Sequence, residues 1–271
     1  MSSKPTSTLL IATYNWPEAL ELTLQSVKQQ TLLPDEVIIA DDGSKEPTKK
    51  LIESLQGNFP VPLRHIWQPD EGFKLGQIRN KAIAAAAGEY VIQIDGDLIL
   101  NPSFVKDHVQ AARPGSFIGG SRVLLDENLS RTIFQNKQLQ VSIFQKGVRN
   151  KLNALHAPVV ARLIEVFKKE KGLYNLRGCN MSFWKKDLLA VNGYNEQITG
   201  WGREDTELVI RLYNKGINRV YFKLQGIVYH LYHKEYDRTS ILRNDEIVKQ
   251  ALDSKLTWCE KGVAQYLDTR Q

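Results

Sequence analysis

The chain has 271 residues, of which 42% are hydrophobic and 24% charged, and its 36 Lys and Arg against 30 Asp and Glu give a net charge of +6. That is the composition of a globular protein with room for a large core; no run of ~20 apolar residues would cross a bilayer, and MSSKPTSTLL has no apolar leader. Two cysteines, Cys179 and Cys259, give neither a disulfide framework nor a cysteine–zinc cluster, and the cytoplasm is the expected compartment.

LLIA at 9–12 reads as a buried strand, and Pro17 opens a helix whose apolar face carries Leu20, Leu24 and Val27. EVIIA at 36–40 is a second strand, followed by the turn residues DDGS and a helix near 47–55. LRHIW at 63–67 is a third strand, and 75–87 a helix with Gly88 as its C′ residue. YVIQI at 90–94 is a fourth strand, Pro102 starts a helix, and FIGGSRVLL at 117–125 is a fifth strand. Strands alternating with helices predict an α/β fold with a mostly parallel sheet flanked by helices. Ligands in such sheets bind beyond the carboxyl ends of the strands. Thr13-Tyr14-Asn15, Asp41-Asp42 and Asp95-Gly96-Asp97 are therefore expected on one edge.

After about residue 128 the pattern changes. Residues 129–171 read as helical and basic, with Pro158 as a break or a second helix start. The positive charge concentrates in 146–171, which holds seven Lys and Arg and two Glu. Leu152, Leu155, Val159, Leu163 and Phe167 recur there at helical spacing, so this segment either meets an anionic membrane surface or packs on the sheet with its charges outward. Residues 176–184 and 219–229 read as strands, a helix runs to about Lys215, and the last 40 residues read as helical.

Asp95 and Asp97 flank a glycine after an apolar strand. Paired carboxylates hold hard divalent cations, although Asp-Gly is also a turn dipeptide. Asp42 is placed to accept hydrogen bonds from a base or a ribose, or to serve a turn, the reading favoured for Ser44. Glu204 and Asp205 stand at a helix start, where the dipole favours carboxylates and where one could act as a general base. Trp201 beside them offers a plane for a sugar ring or a core side chain. His230 and His233 are candidate metal ligands or ordinary structural histidines. No GxxxxGK[ST] loop, GxGxxG turn, GxSxG elbow or HExxH helix is present, and the basic stretch lacks a nucleic-acid-binding motif.

LLIATYNWPEALELTLQSVKQQ, EVIIADDGS, GFKLGQIRNKAI and GEYVIQIDGD resemble the family 2 glycosyltransferases of the Rossmann-like GT-A fold. RGCNMSFWKKDLLAVNGYNE, GWGREDTELVIRL and VYHLYH resemble a C-terminal region shared by β-1,4-galactosyltransferases, polypeptide N-acetylgalactosaminyltransferases and bacterial chondroitin polymerases. The resemblance implies one continuous GT-A domain. Residues 1–128 form its nucleotide-sugar half; 129–271 form its acceptor-side extension, with a basic segment at 129–175 and the galactosyltransferase-like region at 176–235.

Carried over position by position, the resemblance gives Asp42 to uracil and Thr13, Tyr14, Asn15, Arg79, Asn80 and Asp95 to the nucleotide sugar. Asp97 and His233 become the main metal ligands, with Asp95 and His230 as weaker ones, and the ion is Mn²⁺ or Mg²⁺. Trp201 and Glu204 meet the acceptor, and Asp205 is the base. Arg203 stands where relatives often carry glycine. The implied reaction moves a hexose or N-acetylhexosamine, with inversion, from a UDP-sugar to a glycan or lipid-linked acceptor in bacterial surface-polysaccharide or lipopolysaccharide synthesis. Its setting is the cytoplasm or, by peripheral contact through 146–171, the inner membrane face; no nucleic acid is involved. A non-catalytic nucleotide-sugar or carbohydrate-binding module is the alternative.

Overall fold

The computed structural model describes residues 4–165, 176–234 and 240–267. In chain order the elements are β1 (Ser7–Thr13), α1 (Pro17–Lys28), β2 (Glu36–Asp41), α2 (Glu46–Gln56), β3 (Leu63–Trp67), α3 (Leu75–Ala85) and β4 (Tyr90–Asp95). Then come β5 (Leu98–Leu100), α4 (Phe104–Ala111), β6 (Ser116–Gly119), β7 (Val123–Leu125), α5 (Glu127–Asn136), β8 (Val148–Arg149) and α6 (Pro158–Glu165). The remainder is β9 (Asn180–Trp184), α7 (Lys185–Ala190), α8 (Glu204–Asn214), β10 (Asn218–Val220), β11 (Val228–His230) and α9 (Ile241–Asp253).

Seven strands form the main sheet in the order β10-β6-β9-β4-β1-β2-β3. All pair in parallel except β9, which runs antiparallel between β4 and β6. Side chains alternate across the pleat, so each strand feeds two cores. Leu10, Ile38 and Ala40 pack with α3 and α8 through Ile78, Ala82, Leu208 and Leu212. Leu9, Ile11, Val37 and Ile39 pack on the other face with Leu20, Leu24, Phe104 and Val105 of α1 and α4. A second sheet, β5-β11-β7-β8, has its own apolar cluster, in which Val123, Tyr229 and Ala154 meet Leu22 of α1.

Several sequence expectations need correcting. The strand expected at 117–125 is two strands in different sheets, β6 and β7. The chain crosses between them at Gly120, where an added Cβ would lie 2.4 Å from the Asn180 side chain. The strand expected at 219–229 likewise divides into β10 and β11, separated by Leu224 and Gly226 with φ of 62° and 57°. Gly88 is not a helix cap: α3 ends at Ala85, and Gly88 lets the chain pass β1, where a Cβ would lie 2.6 Å from Thr8 N.

Residues 129–165 are helical only in part, and the second helix starts at Pro158 as the sequence allows. α5 ends in a left-handed Lys137, a β-strand and a 3-10 turn at Lys151–Ala154 follow, and α6 starts at Pro158. Residues 166–171, with Phe167, lie outside the described residues. Leu152, Leu155, Val159 and Leu163 are exposed rather than packed on the sheet. Of the last 40 residues, α9 and a 3-10 turn at Val263–Tyr266 are helical among those described.

Candidate active site

Parallel pairing in register brings the strand ends together. Thr13 stands beside Asp41, and Ala12 beside Asp95, on the carboxyl edge of the sheet. A cavity of about 1250 Å³ opens there, lined by Thr13, Tyr14, Asp42, Arg79, Asp95, Asp97, Trp201, Glu204, Asp205, His230 and His233 among others. Asn15 and Asn80 are absent from this wall.

Asn15 serves the loop instead. In a left-handed conformation (φ 47°), its N–H donates to Ser44 Oγ at 2.8 Å and its Oδ1 accepts from Lys45 N at 2.8 Å. Ser44 belongs to this turn and donates its own N–H to Asp41 Oδ1. Asn80 is fully buried: its amide spans Tyr194 N and O and reaches Glu196, fixing the loop before α8. Asp42 is buried, accepting from Gln68 Nε2 at 2.6 Å and Lys74 N at 2.9 Å. Burial raises its pKa. Tyr14 is 43% exposed and donates its hydroxyl to Asp70.

Asp97 joins residues distant in sequence. Antiparallel pairing of β11 with β5 sets His230 opposite Leu98, and Leu231 N donates to Asp97 O. His230 Nε2 then lies 3.5 Å, and His233 Nε2 3.3 Å, from Asp97 Oδ2. His233 Nδ1 lies 2.8 Å from Lys234 O, a carbonyl that can only accept, so Nδ1 carries a proton; Nε2 faces the aspartate and donates to it when the ring is an imidazolium. The hydrogen bond to Asp97 raises the His233 pKa, whereas burial lowers that of His230. Burial works against the Asp97 charge, yet the two imidazoles hold its pKa below the usual value.

The donor set fits a divalent cation. One ligand atom from each of Asp97, His230 and His233 lies within 4.8 Å of the others, and Asp97 Oδ1 is buried without a hydrogen-bond partner. One carboxylate and two imidazoles suit a first-row divalent ion, Mn²⁺ included, better than Mg²⁺, which prefers oxygen ligands throughout.

Opposite this trio, Arg79 holds the acidic residues of both halves together. Its guanidinium is 1% exposed and lies 3.0 Å from Asp95, 3.2 Å from Asp205 and 4.0 Å from Glu204, with the Tyr194 ring 5.2 Å away. Gathering three half-buried carboxylates around one cation leaves excess negative charge. Burial first, then the neighbouring Asp205 charge, raises the Glu204 pKa; burial, opposed by Arg79, raises that of Asp95. Asp205 Oδ1 also lies 3.1 Å from the Tyr194 hydroxyl, and Glu204 Oε2 is buried without a partner. Arg203, at the N-cap of α8, has φ 82°, a conformation suited to glycine, and is held by Asp245.

Sequence reading missed Arg122 and Gly178 of the cavity wall and Tyr194 behind it. Arg122 lines it beside the metal-fitting trio, and no carboxylate among the described residues lies within 4.0 Å of its side chain. The strand-end rule would have found Arg122 had the strand not been read through it to residue 125. Gly178 lies so close to Asp205 that a Cβ would sit 1.9 Å from Oδ2. Tyr194, in NGYNE, carried no separate signal.

Two family models cover the chain. Glycosyl transferase family 2 matches residues 8–171, and the N-terminal domain of galactosyltransferase matches 160–234. The chain belongs to glycosyl transferase family 2. Chondroitin synthase of Escherichia coli is 31% identical over 248 residues, covering 84% of this chain and 34% of the relative. Hyaluronan synthase of Pasteurella multocida is 28% identical over 243 residues, covering 84% and 24%. The chain thus spans about a third or less of these curated relatives.

Among solved structures, S. aureus TarS 1–349 in complex with UDP-GlcNAc superposes with a TM-score of 0.61 at 17% identity, covering 96% of this chain and 69% of that one. The mannosyltransferase PcManGT from Pyrobaculum calidifontis, in complex with GDP-Man and Mn²⁺, gives 0.59 at 17% identity, with 86% and 59% covered. The fold of this family 2 chain is that of the GT-A glycosyltransferases. Among the described residues no helix is long and apolar enough to cross a membrane.

Proposed function

We propose that this chain transfers a hexose or N-acetylhexosamine from a UDP-sugar to a hydroxyl of a glycan or lipid-linked acceptor, with inversion, in bacterial surface-polysaccharide or lipopolysaccharide synthesis at the cytoplasmic face of the membrane. The observation that carries this reading is a single cavity lined by both the metal-fitting trio and the acidic pair Glu204 and Asp205, with Arg79 joining that pair to Asp95.

The nucleotide lies along the strand ends. Asp42, already oriented by Gln68 and Lys74, meets the uracil edge, Thr13 and Tyr14 border the base, and Asp95 meets the ribose. Asp97, His230 and His233 hold Mn²⁺ or Mg²⁺. When bound, the ion supplies positive charge against the diphosphate. Arg122 adds a fixed cation at the same end of the cavity, where charge develops on the departing UDP.

Across the cavity, Trp201 offers its ring to the acceptor sugar and Glu204 accepts a hydrogen bond from it. Asp205 takes the proton of the attacking hydroxyl as the acceptor oxygen bonds to the anomeric carbon and the bond to the UDP oxygen breaks. Arg79 and Tyr194 hold the Asp205 carboxylate in place for that transfer. Residues 1–128 form the donor side and 129–271 the acceptor side of one domain.

UDP release from a panel of UDP-sugars, with and without Mn²⁺, tests the proposal. Metal-dependent release from one or a few of them is expected. No release with any UDP-sugar and acceptor mixture, together with equal affinity for UDP, GDP and CDP, counts against it.

A further inference from the structure

From Asn128 to Ile164 the sequence contains six Lys and Arg and no Asp or Glu. The same stretch carries six large apolar side chains, Phe144, Leu152, Leu155, Val159, Val160 and Leu163, that are between 41% and 86% exposed. The structure shows how they come to face outward. Val148 and Ala154 enter the apolar cluster of the second sheet with Val123 and Leu125, which anchors the segment. α6 turns Ala161 inward, at 1% exposure, and leaves Val159, Val160, Arg162 and Leu163 outward over consecutive turns. Its start is tied down by Ala157 N donating to Leu224 O and by His156 Nε2, 2.9 Å from the buried Asp107.

An exposed aliphatic face on a fixed helix costs solubility unless something covers it. Its chemistry narrows the occupant. A second copy in a two-fold contact would set Lys146, Lys151 and Arg162 against their own copies, with Glu165 at the end of α6 as the one acid of these elements. A polyanionic glycan or nucleic acid would match the charge, but such ligands stack on aromatic rings, and five of the six side chains are aliphatic. Hydrocarbon beneath a layer of negative headgroups matches both properties.

We infer that the surface formed by the 3-10 turn at Lys151–Ala154 and the outer face of α6 seats the chain on an anionic lipid bilayer. Val159, Val160 and Leu163 enter the acyl boundary, while Lys146, Lys151 and Arg162 meet the headgroups. The same lobe reaches the cavity: Arg149 lines it, and Asn153 Nδ2 donates to the carbonyl of Arg122. The further step rests on the glycosyl-transfer reading: seated this way, the cavity mouth is presented to acceptors held in lipid.

Sedimentation of the full chain with vesicles tests the surface separately from the chemistry. One set is phosphatidylcholine alone; the other mixes in phosphatidylglycerol. Co-sedimentation with the mixed vesicles only, weakening as salt rises, is expected. Val159→Asp with Leu163→Asp should lower partitioning roughly tenfold or more, the worth of an aliphatic side chain withdrawn from an apolar contact. Lys146→Gln with Lys151→Gln should lower it roughly fivefold per charge removed. Thermal melting confirms that the variants are folded, and UDP titration should give wild-type affinity for all of them. Failure to bind mixed vesicles, equal binding to neutral ones, or undiminished binding by the double Asp variant overturns the inference. Absence of UDP binding by the wild type would instead count against the glycosyl-transfer reading and leave the vesicle result intact.

Discussion

The wall built from β1, β2 and β4 and the wall built from β9, α8 and β11 face the same cavity, but different forces place their side chains. The first is set by a parallel ladder in strict register, so Thr13, Asp41 and Asp95 arrive side by side as a consequence of strand pairing alone. The second depends on contacts between distant segments: His230 reaches Asp97 through the β11–β5 pairing, and Asp205 is held by Arg79 from α3. The division also separates proposed roles, with nucleotide binding on the first wall and turnover on the second.

The largest expected effect comes where the two walls share a residue. Asp97→Ala removes the only carboxylate of the metal-fitting trio, and Mn²⁺-dependent strengthening of UDP binding should disappear altogether. Calorimetry with and without Mn²⁺ reads this directly, and an unchanged Mn²⁺ effect would move the ion elsewhere.

Arg79→Met should come next, seen in folding. It leaves the partly exposed Asp95, Asp205 and Glu204 without their buried cation, which should cost about 2–3 kcal/mol, less than the ~3–5 kcal/mol of a fully buried pair because these carboxylates reach solvent through the cavity. The shift in urea midpoint measures it. A midpoint at the wild-type value would mean that the two walls do not depend on this contact.

Gly178→Ala tests the second wall alone. The new methyl would occupy the space of Asp205 Oδ2, so the carboxylate must move. Turnover should fall roughly a hundredfold, as misplacement of a reacting group by about 1 Å does, with UDP affinity nearly unchanged. Equal losses in affinity and turnover would show that the walls are not separable.

The effect that is smallest near neutral pH, and grows only in acid, concerns the joint between the walls. His108 is buried between the Phe104 and Phe222 rings, 2.8 Å from Ser182 Oγ and 3.0 Å from Asn180 Oδ1 of β9. Burial pushes its pKa down to about 3. The folded value lies below the unfolded one of ~6.5, so the unfolded chain takes up a proton that the folded chain refuses. Stability from this group is complete above pH ~6.5 and is lost as pH falls toward about 3, by up to ~1.4 kcal/mol per pH unit. His108→Gln should flatten that part of the stability–pH curve; parallel curves would exclude His108 as the source.

The difference between the walls also decided what could be read from sequence. Thr13, Asp42, Asp95 and Asp97 follow apolar strands, and the strand-end rule places them without further information. The bends at Gly120 and Gly226 were read through because apolar residues stand on both sides of each, although Gly119-Gly120 is a turn dipeptide; at both, the chain passes against a neighbouring side chain, Asn180 and Phe222. Arg122 was lost with the first bend. Asn80 was legible as part of a motif but not as a buried clamp on Tyr194, since its partners lie more than a hundred residues away. Glu204 and Asp205 were found from their position at a helix start, whereas their dependence on Arg79 required the packing of α3 against α8. The helix start at Pro158 was legible, whereas the helical spacing of Leu152 and Leu155 before it fell on a 3-10 turn and an extended residue.

The most direct test of the division is Asp205→Asn, which keeps the side-chain shape and removes its basicity. UDP affinity and turnover at saturating donor and acceptor are measured on the same preparation. Affinity should stay near the wild-type value while turnover falls roughly 10²–10⁴-fold, the usual range for loss of a general base. Near-normal turnover would contradict the assignment of Asp205 and with it the catalytic role of the second wall.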